Sequence, residues 1–310
     1  MDHYTRSARN TFAGLHLDRK PFVHQGHDDP FVHLSAPSAT FVVVRHDEIL
    51  FDPGSGGPLL LGHRDVARCA DLRESALLLG ADDHAQYFAL DYSRLSTTAG
   101  NCVDGLGVFE KLRQHTAILP PEQAALLGFA RSAVGWTNAA RFCSACGHPT
   151  QGNPLTLARV CSNPDCGKHH FPRVDPAMIV LVHRDDSCLL GRQTSWRPRM
   201  YSAIAGYVEP GESVEDAVYR ETWEETGIRL GDIRYHSSQP WPFSGSIMLG
   251  FHATAKTTDI RLADQELEDA RWFSRAEIPD LLDQGVLVLP PTDTIARRLF
   301  EAWFTPRHPS

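Results

Sequence analysis

The chain has 310 residues, 42% of them hydrophobic and 22% charged, with a formal net charge of −8. That length suits two or three domains, each able to bury a core. The acidic balance argues against a general nucleic-acid or anionic-membrane binder, and aliphatic runs such as Met178–Val182 are far too short to span a bilayer.

No apolar stretch comes after Met1, Asp2 and His3, so no secretory signal is expected and a cytoplasmic protein is. Residues 1–120 read as one domain mixing helix and strand. FVVVR, a turn at His46-Asp47 and ILF predict a hairpin, and PLLLG, ALLLG and QYFALDY are further strands. The glycines of GSGG (Gly54–Gly57) and GLG (Gly105–Gly107) do not complete a dinucleotide-binding fingerprint and read as turns. Residues 121–141 predict a connecting helix: Pro121 and Glu122 suit its start, and Leu126, Phe129, Ala133 and Trp136 repeat at helical spacing.

Residues 142–172 hold four of the seven cysteines, as Cys143-x2-Cys146 and Cys161-x4-Cys166. Two such hooks offer four thiolates to one tetrahedral Zn²⁺, and Gly147 and Gly167 allow the tight turns they need. The expected zinc is structural, since it would fold a segment with almost no core. His169 and His170 are alternative ligands, though two solvated histidines fit the pattern better. Cys69, Cys102 and Cys188 read as small apolar fillers.

Residues 173–306 form the last domain. AMIVLVH, Asp185-Asp186 and CLLGRQ predict a hairpin, and a helix near Ala296–Phe304 closes it. Between them lies GYVEPGESVEDAVYRETWEETGI, Gly206–Ile228, crowded with carboxylates around the single cation Arg220. Ser213 and Asp216 make an acidic capping box and Gly227 a helix stop, so a helix is expected from Val214 to Thr226. It aligns Glu221, Glu224 and Glu225 on one face, where they repel unless hard cations such as Mg²⁺ or Mn²⁺ sit among them. Glu212, in the preceding loop, is placed to pair with Arg220.

The register Gly206, Glu212, Arg220-Glu221, Glu224-Glu225, Gly227-Ile228 resembles the Nudix box, a loop–helix–loop that holds divalent metal and hydrolyses diphosphates. Thr222 departs from the aliphatic residue usual there. SQPWPFSGS (Ser238–Ser246) is similar to the signature of the NADH pyrophosphatase subfamily, with Ser244 in place of a proline. The order N-terminal Nudix-like domain, zinc ribbon and catalytic Nudix domain resembles that subfamily too. The resemblance implies an α+β chain ending in a Nudix α/β/α sandwich. It implies hydrolysis of NAD(H) to nicotinamide mononucleotide and AMP, removal of NAD caps from RNA 5′ ends, and a homodimer.

Carried over residue by residue, it implies substrate contacts at Phe171, Tyr207, Trp241, Met248 and Ala296. The catalytic carboxylates would be Glu221, Glu224 and Glu225, the last as metal ligand or general base. Counting back from Trp272 places a fourth ligand at Glu266, with Glu268 and Asp269 as competing choices. Two other readings are a Nudix hydrolase for ADP-ribose or another nucleoside diphosphate, and a zinc-ribbon nucleic-acid-binding protein. Metal-dependent turnover of a small dinucleotide separates the last from the enzymes.

Overall fold

A computed structural model describes residues 2–19, 33–69, 72–94, 103–152, 156–262 and 266–305. The chain divides into two compact units. One comprises Met1–Gly14, Val174–Trp241 and Ser246–Ser310, and the other Leu15–Arg173 with Pro242–Gly245. The first fourteen residues, which the sequence pattern groups with the N-terminal domain, therefore cluster with the C-terminal part. They hold helix α1 (His3–Ala8), whose N-cap Asp2 accepts the Thr5 N–H.

In the N-terminal unit, β1 (Ala39–Arg45) and β2 (Glu48–Phe51) form the expected hairpin, turning through His46 in the left-handed region (φ 58°). β3 (Leu60–Gly62), β4 (Ala76–Ala81), β5 (Gln86–Asp91) and β6 (Val108–Lys111) complete a sheet in the order β4-β5-β1-β2-β6, with β3 beside β1. β1 and β5 run parallel. Phe41, Val43, Leu50, Phe88 and Leu90 fill its core. Helix α2 (Pro121–Ala139) is more than the predicted connector. It packs on β1, β4 and β5 through Leu126, Leu127, Ala130 and Val134, so it is a layer of this unit.

The ribbon comes next as three short antiparallel strands, β7 (Thr150–Gly152), β8 (Arg159–Cys161) and β9 (His169–His170). Of the cysteines read as fillers, Cys188 is free and buried. Cys69 is instead disulfide-bonded, and Cys102 lies outside the described residues.

The C-terminal unit repeats the first sheet's topology. β10 (Asp175–Arg184), β11 (Ser187–Arg192), β12 (Ile204–Tyr207), β13 (Leu230–Trp241), β14 (Ser246–Ala255) and β15 (Asp269–Ser274) stand in the order β13-β14-β10-β11-β15, with β12 beside β10. β10 and β14 are the parallel pair. Successive β10 side chains point to opposite faces. Met178, Val180 and Val182 pack with Ala217 and Val218 of α3 (Val214–Thr226). Ile179 and Leu181 pack with Leu299 and Phe300 of the closing helix, α5 (Ile295–Phe304), which comes after the short α4 (Ile278–Asp283). A helix on each face explains why AMIVLV is an unbroken apolar run, and it makes the expected α/β/α sandwich.

Candidate active site and zinc ribbon

Helix α3 has the predicted bounds because both of its ends are capped. Ser213 Oγ accepts the Asp216 N–H at 3.1 Å, and Asp216 Oδ2 accepts the Ser213 N–H at 3.0 Å. Gly227 closes the helix at φ 70°. Thr222, the departure from the box, is fully buried, and its hydroxyl has no hydrogen-bond partner among the described residues.

Arg220 is the hub of the carboxylates. It donates from Nε to Glu212 Oε1 at 2.6 Å and from NH2 to Glu212 Oε2 at 3.0 Å, the fork that the sequence suggests. It also lies 3.0 Å from Glu221 Oε1 and 3.0 Å from Glu224 Oε2, and donates to the Tyr207 carbonyl at 2.9 Å. Glu212 is held below the usual carboxylate range by this guanidinium. Glu221 goes the other way. Burial raises its pKa against the pull of Arg220, and the charges of Glu224 and Glu266 push it further up.

Gly206 has a specific job here. A Cβ on it would lie 2.0 Å from Glu221 Cδ, so the carboxylate sits directly against the β12 backbone. Glu225, on the same helix, is only 2% exposed. Glu266 is exposed in the loop before β15, close enough to Glu221 to act on its charge. Glu268 is occupied elsewhere, in an ion pair with Arg192, and Asp269 accepts from Tyr201 and Arg271.

All donors in this acidic set are hard oxygens, which suit a divalent cation of the Mg²⁺ or Mn²⁺ kind. A carboxylate made harder to ionise by burial, and further by Glu224 and Glu266, is a group that such a cation would relieve. Among the described residues these oxygens are not drawn into one tight cluster, and Glu221 and Glu224 both pair with Arg220.

Of the expected aromatic contacts, Tyr207 and Trp241 occupy the other face of the sheet. Tyr207, Ala177, Met248 and Gln239 stand in one row across β12, β10, β14 and β13. The row on the α3 side is Gly206, Met178, Leu249 and Ser238. Gly206 and Tyr207 are thus the adjacent residues where the two faces meet. Tyr207 is 53% exposed, and its hydroxyl lies 3.3 Å from Ser246 Oγ. Trp241, half-buried opposite Ser246, meets the ring of Phe12 edge to face, with centroids 6.4 Å apart. Met248 is partly buried against the α5 core, and Ala296 is inside it.

Phe171 belongs to the other unit, where it is 66% exposed and roughly parallel to His169. It lines a cavity of about 280 Å³ with Trp136, Lys168 and Arg173. Phe243, also of that unit, has the guanidinium groups of Arg113 and Arg131 5.6 and 5.4 Å from its ring centre.

Sequence reasoning misses two features. The bridging of Glu224 by Arg220 is readable from their i,i+4 spacing. The contact of Phe12 with Trp241 joins segments far apart in sequence, and no local pattern announces it.

In the ribbon, the thiols of Cys143, Cys146, Cys161 and Cys166 all lie within 4.8 Å of one another. Two of the sulfur–sulfur distances are 3.8 Å (Cys143–Cys166) and 3.4 Å (Cys146–Cys161). A tetrahedral zinc with bonds of about 2.3 Å sets sulfur edges of roughly 3.8 Å, so the cage has the right size. The Ala145 N–H, 3.4 Å from Cys143 Sγ, lowers that thiol towards the thiolate, while burial pushes Cys161 up. Gly147 and Gly167 take the positive φ expected of them, 75° and 53°. Neither His169 nor His170 joins the group.

Three family models match the chain in series. An NADH pyrophosphatase-like rudimentary Nudix domain covers residues 38–136, an NADH pyrophosphatase zinc ribbon domain 138–171, and a Nudix domain 173–293. The chain is 49% identical over 168 residues to Nudix hydrolase 19, chloroplastic, of Arabidopsis thaliana, covering 52% of this chain and 38% of that protein. It is 40% identical over 196 residues to an NAD-capped RNA hydrolase of Homo sapiens, covering 60% and 42%. It is 42% identical over 199 residues to an NAD-capped RNA hydrolase of Stutzerimonas stutzeri, covering 64% and 68%. The match thus spans about two fifths of the plant and human relatives, and more than two thirds of the bacterial one. Domain order, box, ribbon and these similarities together place the chain in the Nudix family, among its NADH pyrophosphatase-like members.

Proposed function

We propose that the chain hydrolyses the diphosphate bond of NAD(H), giving nicotinamide mononucleotide and AMP, and removes NAD caps from RNA 5′ ends by the same reaction. The observation that carries this reading is the seating of Glu221. Its half-buried carboxylate rests on Gly206 and faces Arg220, one residue along the strand from the exposed ring of Tyr207. A site for anionic phosphates and a surface for a planar ring thus fall on consecutive residues of β12, one on each face of the strand.

Glu221, Glu224, Glu225 and Glu266 would hold Mg²⁺ or Mn²⁺. When bound, that ion supplies neutralisation of the diphosphate charge and acidification of water. The chain's own residues do the rest. Glu212 and Arg220 fix the loop before α3, so the acidic face keeps its place relative to β12. Tyr207 and Trp241 present aromatic surface to the nicotinamide or adenine ring, with Phe171, Met248 and Ala296 as the remaining expected contacts. Glu225, shielded from solvent, is the carboxylate on which turnover depends most, as ligand or as the base that takes a proton from the attacking water.

The ribbon cysteines hold Zn²⁺ as a structural ion in this reading. The family resemblance supports a homodimer. A cytoplasmic location belongs to the same proposal; among the described residues no helix is long and apolar enough to cross a membrane.

The experiment compares NADH, NAD⁺, ADP-ribose and NAD-capped RNA at matched concentrations with Mn²⁺ present. The expected outcome is a higher kcat/KM for NADH and NAD-capped RNA than for ADP-ribose. A preference for ADP-ribose would replace this reading with the nucleoside-diphosphate one.

A further inference from the structure

The family matches begin at residue 38, so nothing in them accounts for the opening segment, Asp2–Gly14. That segment nonetheless runs along the strand that ends in Trp241. Arg6 Nε donates to the His236 carbonyl at 2.7 Å, and Ser7 Oγ accepts the Ser238 N–H at 3.0 Å. Buried Asn10 donates from Nδ2 to Ser237 Oγ at 3.1 Å and to the Ser238 carbonyl at 2.8 Å. Gln239 Nε2 donates to the Thr11 carbonyl at 3.2 Å. Phe12 is the next member of this series. It is 5% exposed, and its ring stands at 82° to that of Trp241.

Phe12 also carries backbone strain. Its φ of 71° lies in the left-handed region, an outlier for a bulky aromatic residue. Such a conformation persists where surrounding contacts over-determine it, and strain of this kind clusters at ligand clamps. The four tethers from Arg6, Ser7, Asn10 and Thr11 supply the over-determination. What they deliver is the edge of one ring to the face of another, an arrangement that fixes ring planes.

We infer that the opening segment is part of the dinucleotide site, with Phe12 as a positioning residue that sets the plane of Trp241 for stacking on the substrate's planar ring. This rests on the function proposed above. Phe12 touches no substrate in this account and acts through Trp241. Its effect therefore falls on binding of the ring, while the carboxylates of α3 lie on the opposite face of the sheet and keep their chemistry.

The test uses the full chain. Phe12→Leu keeps an apolar side chain at the site and should fold, and Phe12→Tyr keeps the ring. Phe12→Leu should raise KM for NADH roughly three- to tenfold, in line with the worth of an aromatic pair, and leave kcat and Mn²⁺ affinity within about twofold. Phe12→Tyr should restore KM. Binding can also be read without turnover, as quenching of Trp241 emission by NAD⁺ in metal-free buffer, with Trp241→Phe as the blank. That quenching should weaken by the same factor in Phe12→Leu.

Unchanged KM and quenching in folded Phe12→Leu would overturn the inference. So would a joint loss of kcat, Mn²⁺ affinity and melting temperature, which marks a fold element only. A wild type that neither binds NAD⁺ nor hydrolyses NADH contradicts the proposed function itself. That result differs from a competent wild type matched by its Phe12→Leu variant.

Discussion

The two sheets of this chain share one strand order and one parallel pair, yet only one carries the acidic helix. The difference lies in the connection that leaves the third strand. From β12 the chain runs through residues 208–229, long enough for a loop, a capped helix and its stop. From β3 the connection to β4 holds, among the described residues, two single-turn helices, His63–Val66 and Leu72–Ser75. The glycine ending β3 meets nothing closer than Asp65 Oδ2, at 3.6 Å from a Cβ built on it. Gly206 is instead filled against by Glu221. Both sheets bury their third strands on the same scaffold, and a few residues of connector separate a scaffold from a candidate site. Function resides in the grafted element more than in the topology.

The largest effect expected from breaking this difference is at Glu225. Glu225→Gln keeps the shape of α3 and replaces a buried carboxyl group by an amide of the same size, so the fold should survive. Turnover of NADH should fall by about two orders of magnitude or more. Steady-state kinetics beside a melting curve checks both. A folded variant with near-wild-type kcat would remove Glu225 from the catalytic set.

A paired substitution sharpens the comparison. Gly206→Ala should displace the Glu221 carboxylate, weakening Mn²⁺ binding and lowering kcat about tenfold or more. Gly62→Ala, at the end of the corresponding strand, should leave both within about twofold. Mn²⁺ titration and initial rates on the two variants read the contrast. Equal effects would mean that the close approach at Gly206 is incidental.

A smaller effect concerns pH. Burial lowers His236 to about 4, with the charges of Arg6 and His3 acting in the same direction. Below the ordinary histidine value of 6.5 the unfolded chain takes up this proton and the folded chain does not. Stability contributed by the neutral imidazole is therefore intact above about 6.5 and is lost as pH falls towards about 4. Melting temperature should drop across that window, and His236→Gln should flatten the drop. A variant with the wild-type slope would assign the acid sensitivity elsewhere.

The smallest effect lies inside α3. Thr222 buries a hydroxyl that finds no partner among the described residues. Thr222→Val should therefore raise stability by about 1 kcal/mol at unchanged kcat. Chemical denaturation measures this, and a destabilised variant would show that the hydroxyl is satisfied after all.

Much of this architecture is legible locally. Ser213, Asp216 and Gly227 announce both ends of α3 because capping is a short-range affair. The alternating environments of β10 accord with an unbroken apolar run. The cysteine hooks carry their own spacing, and the cage they form fits zinc. The features that stay illegible depend on long-range pairing. The membership of residues 2–14 in the C-terminal unit rests on hydrogen bonds from Arg6, Ser7 and Asn10 to a strand more than two hundred residues away. The pattern of α2 suggests a connector because it reveals a buried face but not the sheet that covers it. The side of the sheet on which Tyr207, Met248 and Trp241 fall depends on strand register, which no single segment encodes.

Under the proposed function, the diphosphate of NAD(H) is cleaved at α3. ³¹P NMR of NADH incubated with the full chain and Mn²⁺ tests it directly. The diphosphate signals should give way to two monophosphate signals of equal area, from AMP and reduced nicotinamide mononucleotide, and Glu225→Gln should leave the diphosphate in place. Persistence of the diphosphate with folded, zinc-loaded wild type would contradict it.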